Sequence, residues 1–445
     1  MVQLALPLVL AELGWMTMGI VDTVMVGRLP NSAVAIGAVS LGSVLFYAVA
    51  ISCTGLLLGL DTLVSQSYGA QDLKDCHHSL LNALYLSLGL TPPVMGVVFM
   101  IPMILHHAGI APDVLVQAND YLRALNWGLL PLLLYTAFRR YLQGMNRVQP
   151  VMFAILSANI ANAVGNWALI YGHLGLPAMG VVGSAWATCI SRVFMAGYLG
   201  AYIIWFEHRE KIGLRDAHRR PHWHRIRRLL VLGTPAAMQM GLEITVFALA
   251  TALIARLGAL PLAAHQIALN TASFTYMVPL GISSAAAVRV GQALGRRDRA
   301  GASRSGWTAI ALGAGFMSCA AAAFLLFPRA IARVYTPDLG VISTSASLLF
   351  VAAFFQLFDG LQAVATGALR GAGDTRSPMI CHLTAYWLIG LPIGYYLCFQ
   401  RGWGAVGMWT GLSAALILIG IALLAVWVRT VRGTSLGEIR GAELG

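Results

Sequence analysis

The sequence predicts an all-α integral membrane protein of twelve transmembrane helices, arranged as two six-helix bundles that enclose a central cavity. Three observations predict it. Hydrophobic residues make up 58% of the chain and charged residues 10%, with a mean hydropathy of +0.75, whereas a soluble domain carries about 25% charged residues. Apolar runs recur that are long enough to cross about 30 Å of hydrocarbon. The second half of the chain also repeats landmarks of the first.

The apolar runs fall at about 4–27, 34–60, 79–104, 115–138, 150–171 and 180–206, and after a basic stretch at 229–255, 262–289, 305–327, 342–369, 378–399 and 404–428. Barrel strands would alternate over about ten residues, so helices are expected throughout. Met1 leads almost directly into the first run, which is too long for a cleaved signal peptide and is expected to be a retained helix.

Charge sets the expected orientation. With a cytoplasmic amino terminus, 22 Lys and Arg residues fall on the inner segments and five (Arg28, Arg256, Arg329, Arg333 and Arg401) on the outer ones, with Arg123 and Arg192 inside helices. That bias puts both termini in the cytoplasm. It also accounts for the formal net charge of +12 without a nucleic-acid partner.

The repeat is read from matched positions. Pro7 pairs with Pro235, Arg28-Leu29 with Arg256-Leu257, and Gln66-x-x-Gly69 with Gln292-x-x-Gly295; Gly144 pairs with Gly371, Pro150 with Pro378 and Gly183 with Gly407. Six helices per copy is an even number, so both copies enter the membrane from the same side. The halves are then related by an axis along the membrane normal. The expected organisation is an amino-terminal lobe over 1–206, a basic cytoplasmic linker over 207–228, a carboxy-terminal lobe over 229–428 and a cytoplasmic tail over 429–445. The six cysteines are scattered without a CxxC or Cys/His cluster, so neither a disulfide framework nor a zinc site is indicated.

Three acids stand alone deep in apolar runs: Asp22, Glu243 and Asp359. A charged side chain at bilayer depth costs roughly 2.5–3.5 kcal/mol on insertion scales, so such residues usually bind a cation, relay a proton or line a solute path. Asn159, Asn162 and Asn166 share one face of helix 5, and Asn166 matches Asp22 in depth. Gln239 lies one turn before Glu243, and Gln362 and Thr366 share a face with Asp359. Two carboxylates in one dry cavity repel each other, and a proton or a metal cation relieves that repulsion. Asp61 is expected in the headgroup layer and Glu12 to be wet or paired, while His265 and His382 read as packed or hydrogen-bonded residues. Arg139, Arg140 and Arg370 lie at inner helix ends, where snorkelling explains them. Pro7, Pro131, Pro235, Pro279 and Pro392 interrupt helices at depth and permit bending.

Several local motifs resemble multidrug and toxic compound extrusion (MATE) transporters, in the bacterial NorM-like branch. They are "VDTVMVGRL" in helix 1, "DTLVSQSYGAQD" after helix 2, and "NWALIYGHLGLPAMGVVGSAWAT" across helices 5 and 6. "AAHQIALN" and "MVPLGISSAAAVRVGQALG" follow in helix 8, and "DGLQAVATGALRGAGDTRSPM" spans helix 10. The resemblance covers nearly the whole chain. It implies secondary active export of organic cations and other toxic compounds by antiport with H+ or Na+, through alternating access between two lobes. It maps the amino-terminal-lobe site onto Asp22, Asn162 and Asn166, and the carboxy-terminal-lobe cation site onto Glu243 and Asp359, which would be the ligands of any Na+. Sodium-coupled members often carry a Tyr one turn before the helix 10 acid, where this chain has Phe355. A phenyl face attracts a cation but supplies no oxygen ligand, which favours H+. The implied partners are cationic amphipathic small molecules and membrane lipids. A monomer without a cofactor, in the bacterial cytoplasmic (inner) membrane, is expected.

The alternative is a lipid-linked saccharide flippase of the same wider superfamily. That function calls for basic cavity groups and often fourteen helices, whereas the deep charges here are acidic. An enzyme is not expected, because neither an HExxH motif nor a paired Asp-rich motif is present. The Gly-Asp-Arg loop signature of major-facilitator transporters is missing as well.

Overall fold

A computed structural model describes residues 1–105, 112–210 and 221–433. The middle of the basic linker and the end of the tail, with Arg440, lie outside the described residues. All regular structure among the described residues is helical, and the architecture is that of a multi-pass membrane protein.

Helix α1 (Val2–Val26) is the first span. Helices α2 (Ser32–Leu56) and α3 (Gly59–Gly69) follow one another as the second, and α4 (Leu73–Leu105) is the third. The fourth is built differently from the continuous helix that hydropathy suggests. It consists of α5 (Pro112–Asn126) and α6 (Leu129–Gly144), parted at Trp127–Gly128. Pro131 has no N–H to offer the Trp127 carbonyl, so the ladder cannot run through. A Cβ at Gly128 would also sit 2.9 Å from both the Arg192 guanidinium and the Cys189 sulfur. Helices α7 (Gln149–Tyr171) and α8 (Gly180–Glu210) complete the first six spans.

The second six begin with α9 (Trp223–Ala255), α10 (Ala259–Gly295) and α11 (Arg299–Leu326). A short α12 (Pro328–Arg333) leads to α13 (Leu339–Ala372). The eleventh span, Arg376–Gln400, starts as α14 (Arg376–His382). It then winds through π-helical turns at Leu383–Gly390, the short α15 (Leu391–Tyr395) and further π turns at Tyr396–Gln400. Pro392 opens α15, and the wider turns before it absorb the hydrogen bond that proline cannot make. Helix α16 (Gly404–Arg432) is the last. Eleven stretches among the described residues are each long and apolar enough to cross a membrane, and the α5–α6 pair fits the remaining place in a twelve-helix fold. Pro7, Pro235 and Pro279 are accommodated inside α1, α9 and α10.

By contact the chain sorts into two compact units, Leu10–Ala237 and Met1–Val9 with Met238 onward. In the first, α8 is a hub that packs on α5, α6 and α7. Leu56 of α2 approaches Gly233 of α9 so closely that a Cβ there would meet the Leu56 carbonyl. In the second unit α13 is the hub, packed on α10, α11 and α16. Gly367 and Gly371 of α13 lie on the carbonyls of Ser283 and Ala287 of α10, which leaves no room for a side chain at either position. Close backbone approach through small residues is the usual way to hold helices together in lipid.

Candidate functional site

In the unit formed by Leu10–Ala237, α1 carries Asp22 into an enclosed position. Asn166 Nδ2 of α7 donates to Asp22 Oδ1 at 2.6 Å, and Thr188 Oγ1 of α8 donates to Asp22 Oδ2 at 3.0 Å. One turn away, Asn162 Oδ1 accepts from the same Asn166 amide at 3.1 Å. Asp22, Asn162 and Asn166 are therefore brought together as their spacing and depth suggest. Asn159 is not part of the group, because its amide donates to the carbonyls of Gly14 and Ile155 and so ties α7 to α1. Asp22 and Thr188 open onto a cavity of about 310 Å³, whose walls include Trp15, Tyr47, Tyr121 and Arg192.

Arg192 is fully buried there. Its Nη2 donates to Tyr47 Oη at 3.1 Å and its guanidinium lies 4.8 Å from the Phe46 ring centroid. Nε and Nη1 have no hydrogen-bond partner among the described residues. Sequence reasoning noted Arg192 only as a basic residue inside a helix and passed over Thr188. The signal was their i, i+4 spacing, which puts both on one face of α8.

The second unit holds Glu243 on α9 and Asp359 on α13. Gln239 Nε2 donates to Glu243 Oε2 at 3.2 Å, and Gln362 Nε2 donates to Asp359 Oδ1 at 3.1 Å. His382, at the end of α14, links the two halves of this group. Its Nε2 lies 2.9 Å from Gln362 Oε1, 3.3 Å from Gln239 Nε2 and 3.7 Å from Glu243 Oε2. Tyr276 of α10 lies beside Glu243 and Gln362. The Thr366 hydroxyl is buried with no partner among the described residues. Phe355 packs on Trp409, ring centroids 5.9 Å apart.

The acids deep in helices thus fall into two sorts. Glu12 is paired with Arg139 in a buried ion pair, and Asp61 with Arg140 at 3.3 Å. Asp61 is buried within the protein. Asp22 and Asp359 have only neutral hydrogen-bond donors among the described residues, and Glu243 has the Gln239 amide and, at 3.7 Å, the His382 imidazole. An ionised carboxylate held this way has no salt-bridged arginine of its own, although Arg192 lines the same cavity as Asp22, and a proton or a cation is a ready way to neutralise it.

The MatE family model matches the chain twice, over residues 7–168 and 235–396, which together exceed half its length. The chain belongs to the MatE family. The two matches begin at Pro7 and Pro235, the prolines that mark the internal repeat. The probable multidrug resistance protein NorM of Mesorhizobium japonicum is 36% identical to this MatE chain over 437 residues, covering 96% of it and 93% of the relative. The multidrug resistance protein NorM of Burkholderia vietnamiensis is 36% identical over 442 residues, covering 98% and 94%. Among solved structures, a eukaryotic MATE transporter superposes with a TM-score of 0.89 at 20% identity, covering 99% of this chain and 97% of its own. An outward-facing MATE transporter of the MOP superfamily superposes with a TM-score of 0.86 at 20% identity, covering 98% and 96%. These relatives are transporters, and the MatE chain is read as a transporter and not an enzyme.

Proposed function

We propose that this chain is a secondary multidrug efflux antiporter of a bacterial inner membrane, with both termini cytoplasmic, that exchanges an inward-moving H+ or Na+ for organic cations and other toxic compounds. One observation carries the reading. Asp22, Glu243 and Asp359 are held by neutral partners, whereas Glu12 and Asp61 in the same chain are neutralised by arginines. Relatives named multidrug resistance proteins support the substrate side of the proposal.

With the sites open to the cytoplasm, vacant carboxylates favour a cationic, amphipathic substrate. With the sites open to the outside, an entering H+ or Na+ neutralises them, lowers that affinity and releases the drug. The ion drives the cycle only through its different affinities for the two states. Asp22, with Asn162 and Asn166, would serve the substrate or ion in one unit. Glu243 and Asp359, with Gln239 and Gln362, would serve the coupling ion in the other, where Na+ is a transported substrate and not a resident cofactor.

The test is efflux of a fluorescent organic cation from proteoliposomes, with inward Na+ and pH gradients imposed separately. Efflux driven by either gradient supports the proposal. Efflux indifferent to both, or binding of a lipid pyrophosphate in place of the cation, defeats it.

A further inference from the structure

We propose that His382 is the positioning residue of the Glu243–Asp359 pair, tethering one or the other of the two carboxamides that face the carboxylates. The inference rests on the reading of that pair as the coupling site. His382 is completely enclosed at the point where α14 gives way to π-helical turns. Its Nδ1 lies 2.7 Å from the Pro378 carbonyl. A carbonyl only accepts, so this nitrogen carries a hydrogen and the ring is anchored to its own helix.

The other nitrogen does the linking. Nε2 lies between Gln239 Nε2 of α9 and Gln362 Oε1 of α13. Without a hydrogen, Nε2 accepts from Gln239; with one, it donates to Gln362. The ring therefore tethers one of the two amides in either form. Each amide in turn donates to an acid, Gln239 to Glu243 and Gln362 to Asp359. Side chains from three helices, α9, α13 and α14, thus meet at a single atom. Tyr386, one turn on, packs against the ring at a tilt of 59°, with 5.7 Å between centroids.

Two substitutions separate this role from simple packing. In His382→Gln the side-chain amide reaches the place of Nε2, while in His382→Asn it reaches only the place of Nδ1 and can keep the tie to Pro378. Both are reconstituted beside wild type and Glu243→Gln. The half-saturating concentration of the ion that drives efflux is measured, together with the half-saturating drug concentration at saturating ion. We expect His382→Asn to raise the ion value about tenfold, the loss expected of one or two buried hydrogen bonds. Its drug value should stay unchanged, and His382→Gln should remain within about twofold of wild type by the same reasoning. Asn and Gln variants that behave alike overturn the inference, whether both match wild type, both lose ion and drug affinity together, or neither inserts. Glu243→Gln that transports as well as wild type overturns the coupling-site reading instead.

Discussion

Asn166 Nδ2 on α7 donates to Asp22 Oδ1 on α1 across 2.6 Å, with both side chains enclosed in the protein. Because residue 166 is an amide and not a second acid, Asp22 is the one carboxylate of this group. An amide at position 166 fills one lone pair of the carboxylate, and Thr188 fills another at 3.0 Å. A carboxylate has about four such positions, so roughly half its capacity is left for whatever enters the 310 Å³ cavity. On the proposed function, this single acid is what an entering cation or proton would meet there.

Asp22→Asn removes that charge and keeps the side-chain volume. The variant is expected to insert normally and to lose at least about tenfold in affinity for organic cations, as when one partner of a desolvated charge pair is truncated. Binding of a fluorescent cation to purified protein measures it. Unchanged binding and export of every tested cation would remove Asp22 from the site.

In the other unit, Glu243→Gln and Asp359→Asn are each expected to abolish ion-driven efflux while leaving insertion intact. The acids share Gln362 and His382 as a common network. The double variant should therefore be no worse than either single one, since effects within one network do not add. Resistance of a drug-sensitive host at matched expression reads this out, and normal resistance in both single variants contradicts it.

Much of this arrangement was legible in the sequence, for reasons that also explain what was not. Asn162 and Asn166 lie one turn apart on one helix, and Gln239 and Gln362 lie one turn from their acids, so spacing alone placed each on the right face. Thr188, Arg192, Tyr276 and His382 reach the sites from other helices. The rotation of an apolar span about its own axis is poorly fixed by a pattern that is apolar nearly all round. Phe355 shows the limit of one-turn reasoning. It is one turn from Asp359, yet its ring finds the face of Trp409 on α16. Hydropathy located the fourth and eleventh spans, but it carries no signal for the break at Trp127–Gly128 or the π turns after His382.

The Glu12–Arg139 ion pair is structural, and its removal should be felt in stability before transport. Both side chains are about nine-tenths buried. Arg139→Ala leaves Glu12 without its partner and should cost about 3–5 kcal/mol. Replacing both, as Glu12→Gln with Arg139→Met, should recover most of that loss, because a buried pair is often replaceable by residues of similar volume. Thermal unfolding in detergent tests the comparison, and a double variant as unstable as Arg139→Ala would contradict it.

Arg192 opposes Asp22 in the same cavity, which gives a prediction of opposite sign. Two of its nitrogens lack hydrogen-bond partners among the described residues, so its charge is only partly compensated by Tyr47 and the Phe46 face. A fixed positive charge in a cavity repels an entering cation and weakens the pull of Asp22. Arg192→Met keeps most of the side-chain volume and removes that repulsion. Organic-cation binding should therefore tighten several-fold, and the gain should persist in the Asp22→Asn background, because the repulsion acts on the cation itself. Fluorescent-cation binding to the four proteins of this cycle reads the sign directly. Weaker binding in Arg192→Met would mean that the guanidinium holds the cavity open for the substrate and does not repel it.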